Sequence, residues 1–295
     1  MSALKKYYRK PKLYIELPSR LYFYPEGFIS SDEISSNNEV GVLPMTTMND
    51  LMLKNPEALL NGTAIESLIK DSTTLNDINV KKMIKSDVDS LLVAIKIASH
   101  GDTQEVDLTC PKCKHEQTYS RDLKKILEEV EPHEKEYTVT HENLGGLVVY
   151  LQPSTFQDAL TLDAHAFEEQ KKITQIRQNL NKMLSEKEIE EEDEVMFLSS
   201  IHEIFKDLTI STMEVYANCI QKIVTEEGEV EDDREEIYSW LKQLDNKSFE
   251  AIRDKLSEIN SHGVTSEEKV KCVECGYEWE QPFDTNPTDF FATGS

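Results

Sequence analysis

Two Cys-x-x-Cys turns, Cys110/Cys113 and Cys272/Cys275, are separated by 158 residues, 114 to 271. Two residues between cysteines let both sulfurs reach one metal from a tight turn, and two such turns supply four thiolates, a set suited to tetrahedral Zn²⁺. Each turn lies between short β-favouring stretches. Val106-Asp107-Leu108-Thr109 leads into the first, Lys269-Val270-Lys271 leads into the second, and Tyr277-Glu278-Trp279-Glu280 follows it. That is the layout of a zinc ribbon, in which two knuckles at hairpin ends face each other. Closing a flexible loop of this length costs roughly 4–5 kcal/mol. A structural zinc contributes on the order of 10–16 kcal/mol in finger peptides, so metal binding offsets closure even for a floppy insert.

Three other readings of the cysteines remain open at this stage. The turns are metal-free surface loops, or they bind separate metals with His115 or His262 assisting, or one of them is a redox pair. The last needs a helix N-terminus in a thioredoxin-like setting, and neither turn opens a convincing helix. A closed four-cysteine site has no open position for water or substrate and argues against metal catalysis.

The compartment bears on this choice. Met1 to Lys12 is basic but runs into Leu13-Tyr14-Ile15-Glu16 rather than an apolar h-region, so no secretory signal is expected. The apolar runs Leu91 to Ile95 and Leu147 to Leu151 are too short to span a bilayer. A reducing cytoplasm is therefore expected, where closely spaced cysteine pairs suggest metal more than disulfide.

The 295 residues fit one large domain or two ordinary ones. With 32 Lys+Arg against 56 Asp+Glu the net charge is −24, which argues against a general nucleic-acid binder. Residues 1–25 nevertheless carry six cationic side chains against Glu16 alone. The acidic runs Glu186 to Glu194 and Glu226 to Glu236 read as solvated helix ends or loops.

Periodicity gives a coarse fold. Residues 13–45 read as short strands broken by Pro18, Pro25, Gly27, Gly41 and Pro44. A helix is expected over Asp87–Ser99, capped by Ser86 with Asp89 three residues on. Arg121 to Glu129 is a short helix and Leu147 to Leu151 a strand. Residues 155–262 read as almost wholly helical. The stripes there are Leu198/Ile201/Ile204/Phe205/Leu208, Tyr216/Ile220/Ile223/Val224, Ile237/Trp240/Leu241/Leu244 and Phe249/Ile252/Leu256/Ile259. Tyr277 and Trp279 alternate with glutamates as the buried face of a strand ended by Pro282.

The fold class expected is α+β: a small N-terminal β region, a helical segment, and a zinc-ribbon-like module split by a long helical insertion. The divisions are 1–48, a basic tail with short strands; 49–105, helical; 106–120, the first knuckle; 121–264, the mostly helical insertion with a strand near 147–151; and 265–295, the second knuckle and tail. The expected zinc ligands are Cys110, Cys113, Cys272 and Cys275. Phe290 and Phe291 either dock into a partner or pack on the ribbon. Cys219 reads as a small buried hydrophobe. His100, His133, His141, His165 and His202 are scattered, no phosphate loop is visible, and no catalytic constellation stands out.

Taken in order, several segments resemble one family. Leu17-Pro18-Ser19-Arg20 is followed by Tyr22 to Pro25; Leu43-Pro44-Met45-Thr46-Thr47 leads into a helical stretch with Pro56, Leu59, Leu60 and Ile65; Ser86-Asp87 opens a helix ending near Ser99-His100-Gly101; and Cys110-Pro111-Lys112-Cys113 comes next. Residues 13–160 thus resemble the baseplate hub and baseplate assembly proteins of T-even-type contractile-tailed bacteriophages. Leu21 stands where the family usually carries glycine, and Lys114 stands where knuckles often do. The resemblance implies a non-enzymatic morphogenesis role, as a chaperone or component, with other hub or spike proteins as partners. It places the protein in the host bacterial cytoplasm during assembly, or in the tail baseplate of the virion. The alternative is a zinc-ribbon nucleic-acid-binding or transcription-associated module. Its support is the basic start with Tyr7 and Tyr8 interleaved; against it stand Glu274, Glu278 and Glu280 beside Lys271.

Overall fold

The computed structural model describes residues 7–140, 142–186, 206, 209–265, 267–283, 285, 290 and 291, and of residues 143 and 175–186 it describes only the backbone. The chain forms two compact units. Residues 1–136 and 257–295 make the first, and residues 137–256, inserted between them in sequence, make the second.

In the first unit, β1 (Leu13–Glu16) and β2 (Glu39–Val42) form an antiparallel pair with Tyr14 opposite Gly41. A Cβ on Gly41 would lie 2.9 Å from the Thr74 methyl and 3.1 Å from the Tyr14 ring, so a side chain there has no room. Three helices follow: α1 (Thr47–Met52), α2 (Pro56–Leu60) and α3 (Thr63–Ser72). Thr46 caps α1 in a reciprocal box with Asn49, and Asn55 caps α2 ahead of Pro56, where a missing N–H costs nothing.

The helix α4 (Lys85–His100) is the core of this unit. Val88, Leu91, Leu92, Val93, Ala94, Ile95 and Ala98 are all buried, as in a helix apolar on most of its faces. Its start differs from the expected capping box. Ile84 is the N-cap and no side chain caps the turn. Ser86 lies inside the helix, and its hydroxyl bonds the His133 ring at 2.9 Å. A tertiary partner has taken the hydroxyl that local sequence assigns to the cap.

Two hairpins complete the unit: β3 (Thr103–Thr109) with β4 (Glu116–Asp122), and β9 (Glu267–Lys271) with β10 (Glu278–Pro282). The helix α5 (Leu123–Glu128) starts two residues later than expected, because Arg121 belongs to β4 and Asp122 caps the helix. Tyr277 is 41% exposed and stacks near Trp279 with ring centroids 6.4 Å apart. These two rings shield each other rather than forming the buried face read from the alternation.

The second unit holds a four-stranded antiparallel sheet in the order β5 (Tyr137–Val139), β6 (Val148–Leu151), β7 (Ile220–Val224), β8 (Val230–Glu231). Its helices are α6 (Phe156–Glu186), α7 (209–218), α8 (Arg234–Leu241) and α9 (Asn246–Asn260), the last running into the first unit. The expectation of near-continuous helix is corrected at β7. Ile220, Ile223 and Val224 are β-branched and pair with β6, burying Ile220 and Ile223 beside Val149 and Leu151. Arg234 holds the turn into β7 by donating to the carbonyls of Ala217, Asn218 and Ile220. Cys219, just after α7, is buried, and burial pushes its thiol pKa well up. The stripe from Leu198 to Leu208 lies outside the described residues, as do His141 and His202. Among the described residues no helix is long and apolar enough to cross a membrane.

Candidate metal centre

Both knuckles are built alike. In the first, the Cys110 N–H donates to the His115 carbonyl at 2.9 Å and the Lys114 N–H donates to the Cys110 carbonyl at 3.0 Å. In the second, Cys272 donates to Tyr277 at 2.8 Å and Gly276 donates to Cys272 at 3.0 Å. Each turn needs a left-handed residue just after its second cysteine: Lys114 has φ 63° and Gly276 φ 67°. Glycine takes that conformation freely, whereas lysine carries steric strain.

The two tips meet. The sulfurs of Cys110 and Cys275 are 3.7 Å apart, those of Cys113 and Cys272 are 3.6 Å apart, and all four lie within 4.8 Å of one another. A tetrahedral ion with metal–sulfur bonds near 2.3 Å requires sulfur–sulfur edges of about 3.8 Å. The donor set and its spacing therefore fit such an ion, and these four residues can hold one. Cys110 and Cys272 are buried while Cys113 and Cys275 are exposed, so the centre has an inner and an outer side.

Electrostatics also favour a cation. Against desolvation, the N–H groups of Cys113 and Lys112 hold the Cys110 thiol down to about 6. Cys113, despite the favourable His115 N–H, is pushed up to about 12 by desolvation and by the sulfurs of Cys275, Cys110 and Cys272. Four adjacent thiolates repel one another, and a divalent cation removes that repulsion.

Residues not singled out from sequence hold the hairpins together. Gln117 on β4 donates to the Lys271 carbonyl at 3.1 Å and accepts from the Val273 N–H at 2.9 Å. Arg121 pairs with Glu268 at 2.6 Å, with side chains 7% and 12% exposed, and its guanidinium lies 4.7 Å from the Phe283 ring centre. A single Gln and a single Arg leave no periodic trace, so only tertiary structure exposes their role.

Phe290 is 2% exposed, in a cluster with Val93, Leu123, Ile126 and Phe283, and Phe291 packs against that cluster half-buried. The buried Lys96 donates to the Phe290 carbonyl at 2.8 Å. In this chain the contacts of Phe290 are intramolecular. On the second hairpin Glu274, Glu278 and Glu280 are exposed, and Glu278 is engaged by Lys271 at 2.9 Å. No basic, phosphate-attracting face is formed by these groups.

The fold and the centre define an α+β protein whose sequence-distant hairpins converge on one metal-competent sulfur cluster. A family model described as T4 bacteriophage base plate protein matches residues 42–292, and the chain belongs to that family. No curated protein and no solved structure matches it. The family makes this a structural component of a phage tail baseplate, interacting there with other baseplate proteins.

Proposed function

We propose that the chain is a baseplate hub assembly protein, acting as a morphogenesis chaperone or hub component, with Zn²⁺ as a purely structural staple. The observation carrying this reading is the meeting of Cys110, Cys113, Cys272 and Cys275 in a chain matched by the baseplate family on both sides of the insertion. In such a centre all four positions around the ion are filled by sulfur, so the metal's contribution is cohesion. Cys110 and Cys272 anchor it from the buried side, while Gln117 and Arg121 hold the hairpins in register. Its partners are other hub or spike proteins, met in the host cytoplasm during tail assembly.

Two measurements test this. Purified protein should contain about one zinc per chain, as expected for one four-thiolate site. Pull-downs from infected cells should recover hub or spike subunits, and mass spectrometry of purified virions decides between a retained component and a departing chaperone. Recovery of no baseplate protein would end the assembly reading, and a metal-free protein would end the zinc reading.

A further inference from the structure

In the second unit α6 and α7 run antiparallel. The Asn218 amide, at the end of α7, donates to Asp158 near the start of α6 at 2.9 Å. Residues 164–172 of α6 and 210–214 of α7 then line a cavity of about 500 Å³. His165, Glu168, Glu169 and Lys172 recur at i, i+3, i+4 and i+7, so one face of α6 turns all four toward it. The α7 side adds Ser211 and Glu214, one turn apart, and Ala164 and Ile210 form the apolar part of the lining.

Exposed acids are common in a chain of net charge −24, and Glu168 and Glu214 are of that kind. Glu169 is different. It is 7% exposed, and its Oε1 is buried with no hydrogen-bond partner among the described residues. A carboxylate that has shed water without gaining a donor costs free energy until a ligand supplies one. Native structures leave few such groups, and this one lines a cavity with room for a ligand.

Charge selects the kind of ligand. Three carboxylates line the cavity against one ammonium, that of Lys172, an excess of two negative charges with His165 neutral. Geometry argues against a bare metal ion. Among the described residues, only the cysteines form a group of three or more His, Cys, Asp or Glu side chains whose ligand atoms converge within 4.8 Å. The space fits a long cationic side chain instead. Arginine suits it better than lysine, because its planar guanidinium presents donors in a fork that a carboxylate accepts in pairs. Its aliphatic stem has Ala164 and Ile210 to lie against.

We infer that the cavity between α6 and α7 is a receptor for an arginine side chain presented by another baseplate protein, with Glu169 as its buried acceptor and Glu168 and Glu214 as flanking charges. The arriving guanidinium satisfies the unpaired oxygen, so binding removes a penalty that the unbound protein carries. A desolvated arginine in a fitted pocket is also the kind of contact that dominates protein interfaces. The inference rests on the baseplate reading and gives it a point of contact.

The test captures partners from infected-cell extract on the tagged full chain and treats the complexes with phenylglyoxal, which labels accessible arginines. Labelled sites are read by peptide sequencing. One arginine of a captured baseplate protein should be protected at least tenfold. Glu169→Gln should lower capture of that protein at least tenfold, and replacing the mapped partner arginine by glutamine should reproduce the loss. Glu227→Gln, which removes an exposed charge elsewhere in the same unit, should leave capture unchanged. Without partner, Glu169→Gln should melt at or above the wild-type temperature, because an amide carries no unpaired charge. A lower midpoint means that Glu169 serves the fold and overturns the assignment. Protection that is absent or confined to a second copy of this chain, or a divalent ion outside the cysteine centre that Glu169→Gln releases, overturns it as well. Equal capture of baseplate proteins by wild type and Glu169→Gln removes the arginine site while leaving the baseplate reading intact. Failure of the wild type to capture any baseplate protein removes the reading itself.

Discussion

Ser19 donates twice to Asp87, through its N–H at 2.8 Å and its hydroxyl at 2.6 Å, across 68 residues of chain. Tyr24 adds a third bond to the same carboxylate at 2.6 Å while accepting from the Ile84 N–H at 2.9 Å. Beside this cluster Ser86 bonds His133, whose N–H donates to the Pro18 carbonyl at 2.8 Å and whose ring stacks on His262 with centroids 5.2 Å apart. The Leu17-Pro18-Ser19-Arg20 and Ser86-Asp87 segments, far apart in sequence, are two halves of one buried polar network.

That network makes a pH prediction. Burial raises the Asp87 carboxyl from 3.8 to about 6, with the Ser19 and Tyr24 hydrogen bonds partly opposing. The fold then holds this proton more tightly than the unfolded chain, so Asp87 costs about 3 kcal/mol as pH rises from 4 to 6. Burial and His262 push His133 from 6.5 down to about 4. The fold disfavours that proton, so His133 contributes with the opposite sign as pH rises through a similar window. In wild type the two oppose each other. Relative to wild type, Asp87→Asn should become more stable as pH climbs from 4 to 6, and His133→Phe less stable. Urea midpoints across that range check both, and a pH-independent difference refutes the assignment.

Removing the metal should act on both knuckles at once. With zinc at this centre as proposed, Cys272→Ser is expected to lower the zinc content and the thermal midpoint, and a chelator should do the same to wild type. Zinc content unchanged in the mutant contradicts a shared site.

The knuckle turns predict opposite effects of similar substitutions. Lys114→Gly relieves a left-handed lysine and should stabilise by about 1 kcal/mol, whereas Gly276→Ala should destabilise by about 1 kcal/mol. Denaturant unfolding of the zinc-loaded protein measures both. Equal signs would mean that turn conformation does not control knuckle stability.

Breaking the Arg121–Glu268 pair from one side leaves a buried charge alone. Glu268→Gln or Arg121→Ala should each cost about 3–5 kcal/mol, while replacing both by apolar residues should cost far less. A double-mutant cycle reads the difference. Additive effects would show that the two side chains act independently.

The cysteine spacing was informative because a metal demands four donors in a fixed geometry, which sequence displays directly. The helix through Val88, Leu91, Leu92 and Ile95 was legible because its apolar positions recur at helical intervals. Ile220, Ile223 and Val224 satisfy a helical stripe and a short strand equally well, and pairing with β6 decides between them. Ser86 is a plausible cap by local rules, and only His133, 47 residues away, makes it a network member. Phe290 looks exposed near a chain end, yet the Lys96 side chain and the Phe283 ring enclose it.

Because one knuckle precedes the insertion and the other follows it, the sulfur cluster cannot form on a nascent chain until Cys275 has left the ribosome. Cys110 and Cys113 must wait, reduced and without their counterparts, while the whole insertion is synthesised. Ion capture is therefore a late event that certifies translation past the second knuckle.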